Sequence, residues 1–182
     1  MKPLDRHLQK RRVAVASPWI RAGSHVLDVG CADGALFRLV PQIASGVGID
    51  TSPSDGFPDG PFEARSAAFP DAVAADDRFD AIVMLAVVEH VPVSELGRWA
   101  DAVRGALRPN GRLIVTTPSP VVDRILDAGI KLRLLDGMDV ESHHGFDPSV
   151  VPEVFADGGL VLEHRRRFEL GLNHLFVFTR PA

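Results

Sequence analysis

Residues Val26 to Phe37 read Val-Leu-Asp-Val-Gly-Cys-Ala-Asp-Gly-Ala-Leu-Phe: an apolar run, a turn bounded by glycines, then the start of a helix. Gly30 and Gly34 allow a tight turn and a close approach of backbone to ligand, and Asp28 and Asp33 put carboxylates beside it. A dinucleotide fingerprint, Gly-x-Gly-x-x-Gly, seats a pyrophosphate on a helix N-terminus. Here Ala32 stands where the second glycine belongs, and the carboxylates oppose phosphate. The turn reads as a nucleotide-cofactor site whose ligand is positively charged or zwitterionic.

Three further segments carry chemistry-bearing residues. Gly46-Val-Gly-Ile-Asp50 is an apolar run ending in an acid, and Asp50 follows Gly30 by twenty residues. A dinucleotide-binding fold shows the same spacing, so Asp50 alone does not separate the two readings. Phe79 to Val91 is an apolar run closed by Glu89-His90, and Leu107-Arg-Pro-Asn-Gly-Arg-Leu-Ile-Val-Thr-Thr-Pro118 is a turn entering another.

Taken together, these four motifs resemble the class I S-adenosylmethionine-dependent methyltransferases, in the order that family shows, and most closely its ubiquinone-biosynthesis type. The match covers residues 20 to 118, with a looser one through Phe178. The resemblance implies S-adenosylmethionine as cofactor, S-adenosylhomocysteine as product and a small-molecule acceptor, with O- or C-methylation favoured. It also implies roles. Gly30, Cys31, Ala32 and Gly34 approach the methionine part, Asp28 holds its ammonium group, and Asp50 takes the ribose hydroxyls. Thr51 or Ser52 sits beside the adenine, Ser66 and backbone amides read it, and Leu85 and Ala86 line the wall near the sulfonium. Family members often carry an acid after the third strand; here Arg65 falls near that slot, which implies altered adenine contacts.

Methyl transfer needs alignment above all, and a general base adds to it when the acceptor is a hydroxyl. His90, in the motif after the fourth strand, and His143, with His144 in the polar run Asp139 to Asp147, are the candidates for base or acceptor contact. Against them stand plain structural roles: His90 anchoring a loop, and the later run serving as a polar loop before a helix. Metal spacing is poor in that run, and no metal site is expected. Cys31 reads as a small packed residue, since no local motif supplies an activating base.

These residues need elements to hold them. The pattern predicts strands near His25 to Val29, Gly46 to Ile49, Phe62 to Ala64, Phe79 to Leu85, Arg112 to Thr116, Leu160 to Phe168 and Leu175 to Thr179. A helix from Leu4 breaks near Ser17-Pro18. Ser94 to Arg108 carries Leu96, Trp99, Val103 and Leu107 at helical spacing, with Ser94 as cap and Pro109-Asn110-Gly111 as stop. Asp147-Pro148 opens another helix, with Val150, Val151, Val154 and Phe155 inward. Val121 to Leu135 reads as an amphipathic helix over the acceptor or the core. Thr51 to Pro61 is too rich in Pro and Gly for a helix and leaves that flank of the sheet thinly covered. Gly171 to His174 reads as a turn between the last two strands, with Asn173 and His174 serving it.

The expected fold is α/β: a Rossmann-like, doubly wound, mostly parallel seven-stranded sheet with an antiparallel last strand. It forms one domain over 1–182, with an N-terminal helical segment at 1–22 and a substrate-covering insertion at 119–147. The 182 residues suffice for a full core, and a net charge of −4 argues against nucleic acid as a partner. No run is apolar enough to span a bilayer, Met1 to Ile20 does not read as a secretory signal, and the single cysteine suits a reducing compartment, so a cytoplasmic location is expected. Composition does not determine the oligomeric state. Two rivals stay open: a noncatalytic scaffold that keeps the fold, motivated by Arg65 and the short Thr51 to Pro61 segment, and a nicotinamide-dependent oxidoreductase, disfavoured by Ala32.

Overall fold

A computed structural model describes residues 3–53, 56–119 and 146–182. Helix α1 (Pro3–Ala16) passes through a short 3-10 turn at Ser17–Trp19 into β1 (His25–Val29). There follow α2 (Ala35–Leu39), β2 (Ser45–Asp50), β3 (Phe62–Ser66), β4 (Phe79–Leu85), α3 (Val93–Ala106), β5 (Leu107–Pro118), α4 (Val150–Asp157), β6 (Val161–Phe168) and β7 (Asn173–Thr179). The sheet runs β3-β2-β1-β4-β5-β7-β6. The pairings from β3 to β5 are parallel, and β7 runs antiparallel to both β5 and β6. This is the expected fold class. The strand order reverses between β1 and β4, which opens a crevice at their carboxyl ends.

Strand alternation divides the core in two. Leu27, Val29, Ile82, Met84, Leu113, Val115, Phe176 and Phe178 pack beneath α3 and α4, where Ala100, Val103, Val151 and Phe155 meet them. Val26, Ala81, Val83, Ile114, Leu175 and Val177 pack on the other face, against Val13, Val15 and Ala16 of α1 and Leu36 and Phe37 of α2. Burial on both faces explains why the central strands read as continuous apolar runs. Each fully buried Leu, Ile or Phe contributes about 1.5–3 kcal/mol.

Several local expectations are revised. Helix α3 begins at Val93 behind Pro92, and no side chain caps it, so Ser94 lies inside its first turn. The helix ends at Ala106, and Pro109-Asn110-Gly111 falls within β5, with Asn110 at φ 60°. Asp147 does open α4, its carboxylate accepting a hydrogen bond from the Ser149 amide at 2.9 Å. Of the four inward residues expected there, Val151 and Phe155 are buried and Val150 and Val154 half-buried. Asn173 serves the turn by donating to Glu169 at 2.6 Å, whereas His174 lies within β7 and is buried. The proposed helix at Val121 to Leu135 lies outside the described residues.

The segment after β2 forms no helix among its described residues, as expected, yet the flank is covered. Phe57 folds back edge-on to Phe37 with ring centres 5.7 Å apart, and Phe37 stacks on Phe62 at 4.7 Å. Three aromatic rings replace the missing helix. The glycines of β2 make room for them. A Cβ on Gly46 would stand 2.4 Å from the Phe37 ring and 2.7 Å from the Val26 carbonyl oxygen. Gly46→Ala should therefore destabilise the fold by about 1–3 kcal/mol, read as a lowered denaturant midpoint; an unchanged midpoint would refute this packing.

Candidate functional site

The turn after β1 is built by its neighbour. The Gly30 and Cys31 amides donate to the Ile49 carbonyl of β2 at 2.8 and 3.3 Å, and the Gly34 amide closes the turn on the Cys31 carbonyl at 2.8 Å. The Asp50 carboxylate then accepts the Ala32 amide on one oxygen at 2.9 Å and the Ser52 amide on the other at 2.8 Å. Ala32 sits at φ 44°, a left-handed conformation unusual for a residue with a side chain, and the hydrogen bond to Asp50 helps hold it there. Gly30 has φ 73° and its missing Cβ would meet Val87 at 2.6 Å, so both conformation and space require glycine.

Across the strand reversal, β4 ends at Leu85 and Ala86 takes φ 59°, its amide donating to the Thr116 carbonyl at 2.8 Å. Between these two turns lies a cavity of about 500 Å³, lined by Val29, Gly30, Ile49, Asp50, Thr51, Ala67, Ala68, Phe69, Ala86, Val87, His90, Val91 and Trp99. Gly30, Asp50, Thr51, Ala86 and His90 were expected at the site from sequence and are brought together here. Asp28, near the end of β1, and Cys31, Ala32 and Gly34, in the turn, do not line the cavity, and neither do Leu85 and Ser66. His143 lies outside the described residues.

Sequence reading missed the apolar lining. Ala67, Ala68 and Phe69 follow β3, and Phe69 meets Trp99 of α3 edge-on with centres 4.8 Å apart. Trp99 sat at helical spacing and read as core, and no local signal marked it as a wall. Arg65 turns elsewhere. Its guanidinium donates to Asp77 at 2.5 Å, to Glu63 at 2.8 Å and to the Ala72 carbonyl at 3.0 Å. The Asp77 and Glu63 hydrogen bonds raise its pKa above the ordinary value, and it does not line the cavity.

Electrostatically the floor is acidic. Burial, reinforced by Asp50 and Asp33, pushes the Asp28 carboxyl up to about 8. Asp33 is offset by Arg38 at 2.5 Å and by Gln9 of α1, which donates to it at 3.1 Å. Burial, with Asp28 and Asp50, pushes the Cys31 thiol up to about 12, which leaves it protonated and poor as a nucleophile. Among the described residues no group of His, Cys, Asp and Glu is disposed to hold a metal ion, and no helix is long and apolar enough to cross a membrane.

A doubly wound sheet with a glycine turn, a strand-end carboxylate and a largely apolar cavity at the strand reversal defines a Rossmann-like nucleotide-cofactor domain. Its acidic floor favours a cationic ligand over a pyrophosphate. A family model described as a methyltransferase domain matches residues 4–164, and the chain belongs to that family. It is 27% identical over 157 residues to the ubiquinone biosynthesis O-methyltransferase of Methylobacterium sp. (strain 4-46), covering 78% of this chain and 61% of that one. The chain thus spans less than two thirds of that relative's length. In fold it is similar to the N-methyltransferase NodS from Bradyrhizobium japonicum WM9, at TM-score 0.70 and 17% identity over 100% of this chain and 98% of that one. It is also similar to the magnesium protoporphyrin IX methyltransferase of Synechocystis PCC 6803 with bound S-adenosylhomocysteine, at TM-score 0.69 and 16% identity over 96% and 84% of the two chains.

The raised Asp28 pKa has a consequence for binding. With its pKa near 8 the carboxyl is mainly protonated at lower pH, and a ligand ammonium placed beside it would favour the carboxylate, so that binding there would expel a proton. Affinity for S-adenosylhomocysteine should rise between pH 6 and 8, by at most about tenfold per pH unit, and level off above. Calorimetric titration across that range checks it, and Asp28→Asn should flatten the profile. A flat native profile would remove Asp28 from the ammonium site.

Proposed function

We propose that this chain transfers a methyl group from S-adenosylmethionine to a small-molecule acceptor, with oxygen as the favoured methylated atom. The observation that carries the reading is the cavity joining Gly30, Asp50 and Ala86 at the strand reversal. The name of the Methylobacterium relative, an O-methyltransferase, supports oxygen, although the structural neighbours include an N-methyltransferase.

In this reading the backbone of the Gly30–Gly34 turn packs along the methionine part and Asp28 receives its ammonium group. The Asp50 carboxylate already accepts two amides and keeps lone pairs for ribose hydroxyls. Thr51, with the backbone of Ala67 and Ala68, borders the adenine, and Phe69 and Trp99 wall the cavity. Bound S-adenosylmethionine supplies an electrophilic methyl group. Ala86, with Leu85 behind it, closes the wall at that end, and the chain's part is to hold acceptor and methyl in line, worth up to about 7–11 kcal/mol in ideal cases. His90, exposed and lining the cavity, is the described residue placed to take a proton from an acceptor hydroxyl. Arg65, one of the two features that motivated a noncatalytic scaffold, is engaged by Asp77 and Glu63 and does not line the cavity.

Asp50→Ala should weaken S-adenosylhomocysteine binding by about 1.5–3 kcal/mol, the range for hydrogen bonds to a charged group. Thermal shift supplies the broader test. S-adenosylmethionine and S-adenosylhomocysteine should both raise the melting temperature and NAD should not; no shift with either S-adenosyl compound would sink the proposal.

A further inference from the structure

Strand β6 ends the sheet and pairs with β7 on one side only. Among the described residues no strand pairs with its outer side, where an edge strand presents unpaired amides and carbonyls. A bulge between Leu162 and His164 interrupts the ladder, so the regular edge runs from His164 to Phe168. Its middle is Arg165-Arg166-Arg167, all three exposed. Among the described residues none of the three meets a carboxylate at salt-bridge distance. Arg165 and Arg167 stand opposite Phe176 and His174 of β7, on the side of α3 and α4, and Arg166 stands opposite Leu175, on the side of α1.

On the α1 side the edge also carries a cavity. About 330 Å³ lies between Val15, Pro18, Trp19, His164 and Arg166. The His164 ring packs on Trp19 with centres 4.7 Å apart, and the Arg112 guanidinium lies 5.5 Å from the centre of the same indole. Arg112 is itself held by Glu163 at 2.7 Å, so the aromatic wall is fixed from behind.

We propose that the outer edge of β6 receives an extended, acidic segment of a partner protein, which adds a further strand to the sheet and sets one aliphatic side chain in the cavity beside Trp19. The inference does not depend on methyl transfer. A strand laid along β6 sends its side chains alternately to the two faces. Acids at three successive positions then stand opposite Arg167, Arg166 and Arg165, and the next residue, opposite His164, falls on the cavity side. A membrane surface or a nucleic-acid backbone approaches one face and meets Arg166 or the other two, whereas an added strand reaches all three. A second copy of β6 would bring two runs of arginine side by side, and like charges across a strand pair oppose it.

Fluorescence anisotropy with the labelled, end-blocked peptide Thr-Glu-Glu-Glu-Leu-Thr-Val tests this. Three exposed ion pairs are together worth about tenfold, so the peptide should bind about tenfold tighter than its counterpart with lysine for glutamate. It should also exceed, by several-fold, a counterpart with glycine for leucine and one N-methylated through the Glu-Glu-Glu-Leu run, which keeps the charge and cannot complete a ladder. Arg165→Ala and Arg166→Ala, on opposite faces, should each weaken binding. Arg165→Glu combined with Arg167→Glu should still melt cooperatively and should prefer the lysine peptide. No binding of the acidic peptide, equal binding of the lysine or N-methylated forms, or sensitivity to arginines of one face alone would overturn the proposal. So would tighter retention on phosphatidylglycerol vesicles or on a single-stranded oligonucleotide, or a native dimer in sedimentation that the peptide dissociates, which would give the edge to a second copy.

Discussion

One carboxylate joins the two halves of the cofactor site. Asp50 closes β2 and accepts the Ala32 amide from the turn after β1, so the end of one strand sets the backbone of its neighbour's loop. Ala32 holds a left-handed conformation in which an L side chain costs free energy, and the hydrogen bond across the strand ends offsets part of that cost. The turn is thereby shaped before any ligand arrives, and preorganised backbone loses less entropy on binding. A second left-handed alanine, Ala86, is tied to Thr116 at the other side of the crevice. Both walls are thus fixed by links between adjacent strands.

Around that link the site collects more carboxyl groups than its described cations offset, and one of them is held mainly protonated until a cation joins it. Asp33 has Arg38 and Gln9, while Asp28 is buried beside Asp50 with its pKa raised by burial first and by its acidic neighbours next. A cationic ligand resolves the imbalance and a phosphate would worsen it. The same electrostatics separate this cavity from a dinucleotide site of similar topology, where an uncharged glycine turn and a helix N-terminus face the pyrophosphate.

The aromatic packing does two different jobs. Phe37, Phe57 and Phe62 cover the β2–β3 flank, where the described residues form no helix, and Gly46 and Gly48 give those rings space. Phe69 and Trp99 meet at the far wall of the cavity, so α3 contributes to the site as well as to the core. Arg65, bound to Asp77 and Glu63, ties β3 to the segment that follows it and does not line the cavity.

Sequence alone determined the strands, their mostly parallel arrangement, the glycine turn and Asp50, because each rests on local chemistry: apolar runs of strand length, positive φ at Gly30 and Gly34, and an acid at a strand end. It also identified the family, since four motifs in order constrain far more than one. It placed the start of α3 a residue late and left His174 in a turn, because capping and strand limits shift by a residue or two with packing. Only the tertiary structure decided where long side chains go. Arg65 had an acid within reach in Asp77, twelve residues on, and Arg12 came under Glu89 and Glu169 only when α1 was laid across the sheet. Trp99 became a cavity wall for the same reason. Spacing along a chain determines which face a residue occupies, while its partners are set by elements distant in sequence that burial brings together.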